Sequence, residues 1–170
     1  VGIDKEKTRT REHTEDELSH YSSRTADIEF LTPFGWKELF GCAYRSNYDL
    51  ECHVKSSGKD LEYFDPFTNE KYLPHVIEPT FGLTRSTLMV LLSCYSEEEI
   101  KNEDGSIEIR TVFKFPKNIA PFKAAVLPLS NKLLKEAEEI SDMLLKDFNV
   151  DFDTSGSIGK RYRRQDEIGT

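Results

Sequence analysis

Pro74 to Leu92 read PHVIEPTFGLTRSTLMVLL: a β-branched pair, a carboxylate, a proline, a hydroxyl, a glycine and an arginine, then an unbroken apolar run. Val76 and Ile77 predict a strand that delivers Glu78 at its end, Pro79 and Gly82 predict a tight exit, and the run after Gly82 predicts a helix. Its apolar residues Leu83, Leu88, Leu91, Leu92 and Tyr95 are expected to bury at least one side, with the acidic stretch Ser96–Glu99 ending it. An ionised group at such a junction needs a partner. A helix start offers free backbone N–H groups that attract phosphate, and Arg85 in the first turn adds a fixed positive charge. Glu78 and Thr80 can accept hydrogen bonds from an ammonium group. The residues thus allow a phosphate and a small amine side by side, or an ordinary loop with a solvated arginine.

Upstream, DIEFLTPFGWKELFGCAYRSNYDLECH holds two strand-like runs around a Pro33–Gly35 turn. In the second, strict alternation puts Trp36, Glu38, Phe40, Cys42 and Tyr44 on one face. A carboxylate among aromatic neighbours calls for a cation, a metal ion or good donors, unless the strand is an edge with Glu38 in water. Arg45 lies on the opposite parity, so it can join Glu38 only if Gly41 marks a bulge or the strand ends before it. Arg11 to Ser23 predict a solvated helix on which His13, Glu17 and His20 share one face, a spacing that admits a metal but lacks the metalloprotease pattern. The stretch SSGKDLEYFDPFTNEKYL reads as a polar surface excursion, and SIEIRTVFKF as a further strand.

Past Ile119 the pattern changes. Ala124–Leu127 is a short apolar strand, Leu133, Ala137, Ile140, Leu144 and Phe148 predict one face of a helix of about four turns, and VDFDTS is another strand. Strand, helix, strand is a parallel crossover, so residues 1–118 and 119–170 are expected to be separate domains, the second α/β and incomplete.

The 170 residues carry a net charge of −8, which argues against a surface basic all over. Half of the eight cations after Ile119 sit in KRYRR, so polyanion contact is expected near Lys160, Arg161, Arg163 and Arg164. No run approaches the roughly 18 apolar residues of a membrane span, and the polar N-terminus is no secretory signal, so a cytoplasmic protein without a membrane partner is expected. Cys42, Cys52 and Cys94 are odd in number and widely spaced, which predicts free thiols.

HVIEPTFGLTR, GWKELFGCAYRSNYDLECH, FPKNIAPFKAAVLPL and GSIGKRYRRQDEIGT, in that order, resemble the glycyl-tRNA synthetases of eukaryotic and archaeal type, class II enzymes. The resemblance implies an α+β fold: part of a class II antiparallel sheet with flanking helices, then the start of an α/β anticodon-binding domain. It implies ATP and Mg²⁺ as cofactors, glycine as substrate, tRNA(Gly) as partner and a homodimer in the full-length enzyme. By it, Glu78, Pro79, Thr80 and Arg45 bind glycine. Glu38, Leu39, Gly82, Leu83, Thr84 and Arg85 form the ATP wall, with Arg85 on the γ-phosphate and Glu38 facing Mg²⁺. Lys160, Arg161, Arg163 and Arg164 meet tRNA. The family usually has serine where Thr80 stands. Counterparts of its first two motifs, for the dimer interface and the α-phosphate, are not found, so the chain alone is expected to be inactive. Two rival readings remain, a noncatalytic relative like the accessory subunits of mitochondrial DNA polymerase, or an RNA-binding module.

Overall fold

The turn at Pro33 and Phe34 joins the two long central strands of the sheet. In the computed structural model, which describes residues 2–101 and 104–170, Thr32 Oγ1 accepts from Phe34 N–H at 3.1 Å and donates to the Gly35 carbonyl at 2.8 Å. Gly35 has φ of +92°, the left-handed region that glycine enters without a Cβ clash. The chain forms two compact units, Asp4–Met89 and the stretch from Val90 to Thr170 joined by Gly2 and Ile3.

In the first unit β1 (Thr8–Glu12), β2 (Arg24–Thr32) and β3 (Gly35–Ser46) precede α1 (Tyr48–Ser57). A short hairpin, β4 (Tyr63–Asp65) and β5 (Glu70–Tyr72), leads to β6 (Val76–Phe81), and α2 (Leu83–Cys94) begins here. The sheet is antiparallel in the order β1-β2-β3-β6. β6 is an edge, which is why Pro79 can sit inside it and the strand runs on to Phe81 instead of ending at Glu78. Phe30 and Leu39 are fully buried, and Met89 nearly so.

Three expectations are corrected in this unit. No helix spans Arg11 to Ser23. The chain there pairs as β1 and then makes one 3₁₀ turn, Glu15–Glu17, whose Glu17 carboxylate accepts from Thr14 N–H and Thr14 Oγ at 3.0 Å each. The sheet pairing with β2 outweighs a helix that would have had little apolar surface to bury. His13, Glu17 and His20 therefore share no helical face, and among the described residues no group of three metal-ligating side chains forms. α1 was not foreseen, because none of its residues is buried and its apolar pattern is weak. It is closed by Gly58 in the left-handed conformation, whose N–H donates to the Val54 carbonyl at 2.8 Å. On α2, Leu83, Leu88 and Leu91 are exposed while Met89 and Cys94 are buried. A run apolar all round carries no phase, so its neighbours choose the inner side.

In the second unit β7 (Tyr95–Lys101) and β8 (Ile107–Phe113) form an antiparallel hairpin. The helix ends at Cys94, close to the acidic stretch as expected, and that stretch itself is part of strand β7. Glu98 pairs with Arg110 at 2.7 Å and Lys114 at 2.9 Å, and the Arg110 hydrogen bond holds its carboxyl below the usual range. β9 (Ala124–Val126), α3 (Leu134–Leu144) and β10 (Val150–Phe152) make the parallel crossover, in register Ala124 with Val150. α3 has eleven residues, about three turns. It packs on β9 and β10 with Ala137 and Ser141 buried, while Leu133, Ile140 and Phe148 are exposed. The small pair at i and i+4 lets the helix approach the strands closely, which the larger residues would prevent. α4 (Ile158–Ile168) lies against β8, where Arg110 also pairs with Asp166 at 2.8 Å. The fold is α+β, an antiparallel sheet with flanking helices and a βαβ unit.

Candidate active site

One irregularity in β3 decides which side chains meet. Ile28 pairs with Phe40 and Glu29 pairs with Glu38, so Leu39 is an extra residue, a bulge. The alternation expected from Trp36 to Tyr44 therefore breaks. Phe40, Cys42 and Tyr44 stay on the face of Ile28 and Phe30, whereas Trp36 and Glu38 move to the other face with Gly41 and Ala43. Arg45 shares that second face. A bulge does put Arg45 and Glu38 on one face, at Leu39 and not at Gly41, but they do not join: Arg45 meets Asp49 and Glu78, and Glu38 meets Arg85.

β6 completes the face. Glu78 pairs with Ala43 and Thr80 with Gly41, so both lie on the side of Glu38 and Arg45, while Ile77, Pro79 and Phe81 lie on the apolar side. Pro79 thus turns its ring away from the polar face, and its part in a glycine site can only be through its backbone. From β2 and β1 the same face receives Asp27, Glu29, Arg9 and Arg11.

At one end, Arg45 donates to Asp49 through Nε at 2.6 Å and Nη2 at 2.7 Å, and to Glu78 through Nη1 at 2.7 Å. Its guanidinium lies 3.9 Å from the ring centre of Tyr21. Hydrogen bonds from Asp49 and then Glu78 raise the Arg45 pKa further, and the same Arg45 bond lowers that of Asp49. Glu78 is 47% exposed, so it remains open to a ligand. At the other end, Arg85 in the first turn of α2 donates to the Glu38 carbonyl at 2.8 Å and stands 3.4 Å from Glu38 Oε1. Both side chains are half-exposed. Glu38 thus leaves the face of Phe40 and Tyr44, keeps Trp36 on its own face, and stands beside the cation Arg85. Leu83 and Thr84 are exposed at the start of α2, and Gly82 sits 3.4 Å, from a built Cβ, from Arg85 Cβ. The Leu39 side chain is buried, which leaves only its backbone to a ligand.

A Cβ on Gly41 would lie 3.4 Å from Asp27 Oδ1 and 3.8 Å from Glu38 Oε1, so two carboxylates converge over this glycine. Such an all-oxygen pair suits Mg²⁺, which takes one or two carboxylates and completes its shell with water and phosphate oxygens. Asp27 is buried and bonds His13 Nε2 at 2.7 Å. That bond raises the His13 pKa above its ordinary 6.5. A raised folded pKa gives stability that is full below the unfolded value and is lost as pH rises through the folded one. The stability difference between wild type and His13→Asn is thus expected to be largest near pH 5 to 6 and to shrink above neutrality, as read by urea unfolding across pH.

The sequence reading missed Asp49, Tyr21 and Asp27, and set His13 on a helix with Glu17 and His20 instead of beside Asp27. Asp49 stood four residues after Arg45, but Arg45 lies near the end of β3 and Asp49 in the first turn of α1, so their meeting depends on the turn between strand and helix.

Among the cations of α4, Arg161 is buried and donates to the carbonyls of Pro128 at 2.5 Å and Gly156 at 2.8 Å. It is a structural residue and cannot reach a polyanion. Arg164 is bound to Asp153 and the Ser155 carbonyl, and Arg163 to Glu108 and Glu167. Lys160 is exposed.

Residues 123–170 match a family described as an anticodon binding domain. All 170 residues align with the glycine-tRNA ligases of Clostridium perfringens and Clostridium kluyveri at 55% identity, and with that of Bacillus anthracis at 54%. In each case the alignment takes in the whole of this chain and 36% of the relative. From end to end, then, this chain is homologous to a stretch of the glycine-tRNA ligases, about a third of the length of the curated relatives it matches.

Proposed function

We propose that the chain supplies one wall of the active site of a glycine-tRNA ligase, an aminoacyl-tRNA synthetase, and the beginning of its anticodon-binding domain. The observation that carries this reading is the polar sheet face with Glu78 and Arg45 at one end, Glu38 and Arg85 at the other, and Thr80 opposite Gly41 between them. Its two ends suit an amine and a phosphate. An anticodon part from residue 119 agrees with the domain match that begins at residue 123, while the compact units divide earlier, between Met89 and Val90, so that the β7–β8 hairpin of the catalytic part, residues 1–118, belongs to the second unit.

In this reading glycine and ATP are the substrates. Glu78 and the Thr80 hydroxyl accept from the glycine ammonium, and Arg45 fixes the direction of Glu78. Arg85 and the N–H groups at the start of α2 bind the γ-phosphate. Mg²⁺, held by Glu38 with Asp27 nearby, would supply neutralisation of phosphate charge. The glycine carboxylate attacks the α-phosphorus, its P–O bond forms as the bond to pyrophosphate breaks, and a terminal ribose hydroxyl of tRNA(Gly) then attacks the glycyl carbonyl, losing its proton as the ester bond forms and the bond to AMP breaks. No enzyme nucleophile takes part. The residues act by orientation and charge. The methyl group of Thr80 narrows a pocket that must refuse any side chain, and steric exclusion of this kind suits the smallest amino acid. Lys160 is the cation of α4 best placed for tRNA phosphate, with Arg163 and Arg164 following if they exchange their carboxylate partners. The full-length enzyme would work as a cytoplasmic homodimer.

Glycine-dependent exchange of pyrophosphate into ATP by the full-length gene product tests this reading. Exchange with glycine and not with alanine is the expected result. No exchange overturns it, and tRNA binding without any nucleotide site would favour an RNA-binding module instead.

A further inference from the structure

Resting on the reading of Glu78 as the carboxylate that meets the amine, we propose that Asp49 is the positioning residue of that end: it fixes Arg45 against Tyr21 so that Glu78 is aimed without being neutralised. Arg45 makes three hydrogen bonds, two to Asp49 and one to Glu78. Asp49 takes the Nε and Nη2 edge in the paired geometry that planar guanidinium and carboxylate groups favour, which leaves a single N–H for Glu78. The charges decide what this is for. Arg45 counts +1, Asp49 −1 and Glu78 −1, so the trio keeps one negative charge, the complement of one ammonium group. With Asp49 neutral, Arg45 and Glu78 would sum to zero and the attraction for a cation would vanish.

Aromatic contacts back the seat. The Tyr21 ring under the guanidinium meets His20 edge-on at 5.1 Å between ring centres, and His20 meets Tyr48 at 5.6 Å. Tyr48 is the first residue of α1 and Asp49 the second, so the helix carries both the aromatic support and the carboxylate. Arg45 is only 19% exposed and Asp49 27%, whereas Glu78 is 47% exposed. Asp49 is thus set behind Arg45, with Glu78 in front. It touches no substrate in this arrangement.

Two measurements on the full-length protein test the assignment. In pyrophosphate exchange, Asp49→Asn is expected to raise the KM for glycine about 10- to 100-fold while leaving the KM for ATP within about twofold, because misplacing one end of a site costs on this order. Asp49→Glu, which restores the charge, is expected to recover most of that loss. Equal movement of both KM values, no movement of either, or no rescue by glutamate overturns the proposal. Labelling of Arg45 by phenylglyoxal, located by peptide mass mapping, reads the positioning without activity. It is expected to quicken at least about fivefold in Asp49→Asn and to return in Asp49→Glu, since a guanidinium held by paired bonds is shielded. An unchanged labelling rate overturns the positioning role. Absent exchange in wild type with quickened labelling would instead remove the ligase reading and leave Asp49 as the holder of Arg45.

Discussion

Glu78→Gln is expected to lower glycine-dependent pyrophosphate exchange by about 100- to 1,000-fold, the effect of removing one directed electrostatic contact from a site of this kind. The substitution keeps the shape of the side chain and an acceptor oxygen but removes the charge. Arg45 retains its paired bonds to Asp49 at 2.6 and 2.7 Å, so the seat stays in place. What is lost is the net negative charge of the trio, since Arg45 and Asp49 then cancel. Glycine carries its cation at the amino end, and the loss is therefore expected to fall on the KM for glycine, with the KM for ATP little changed. Glu78 is half-exposed and sits on an edge strand, so the melting temperature should move little. A KM for glycine unchanged by Glu78→Gln would remove this carboxylate from the amine site.

Arg85→Ala is the second large effect. Its guanidinium is anchored by one bond to the Glu38 carbonyl at 2.8 Å and is half-exposed, which leaves donors for a phosphate. Removing it deletes a fixed cation at the start of α2, and a loss of about 100- to 1,000-fold in exchange is expected. Here the KM for ATP should rise and that for glycine should not. Arg85→Lys is expected to recover little, because a point charge cannot reproduce the planar fork of donors. ATP binding by calorimetry separates the rival readings: a noncatalytic relative or an RNA-binding module gives no ATP signal for Arg85→Ala to abolish.

Much of the framework was legible locally. The Pro33–Gly35 turn, the strand carrying Glu78, the helix after Gly82 and the parallel β9–α3–β10 crossover each rest on residues within a short window. Turn chemistry and hydrophobic period are properties of such windows, so a sequence states them directly. Other features depend on partners far along the chain. Residues from Arg11 onward carry a helical spacing, yet five of the preceding and included residues pair with β2 instead. α1 buries nothing and so lacks the apolar stripe by which helices are found.

Of the candidate site, residue types alone suggested Glu78 and Thr80 for an amine and Arg85 for a phosphate, and the family resemblance added Glu38 and Arg45. By parity the sequence also set Arg45 on the face opposite Glu38 unless a bulge intervened or the strand ended first. The tertiary structure decided that the bulge falls at Leu39, that Pro79 faces away, that Arg161 is spent on backbone carbonyls, and that Asp49 and Tyr21 hold Arg45. The physical reason is the two-residue period of a strand. One inserted residue exchanges its faces, and whether it is inserted depends on the register with a neighbouring strand, which no single strand's sequence contains.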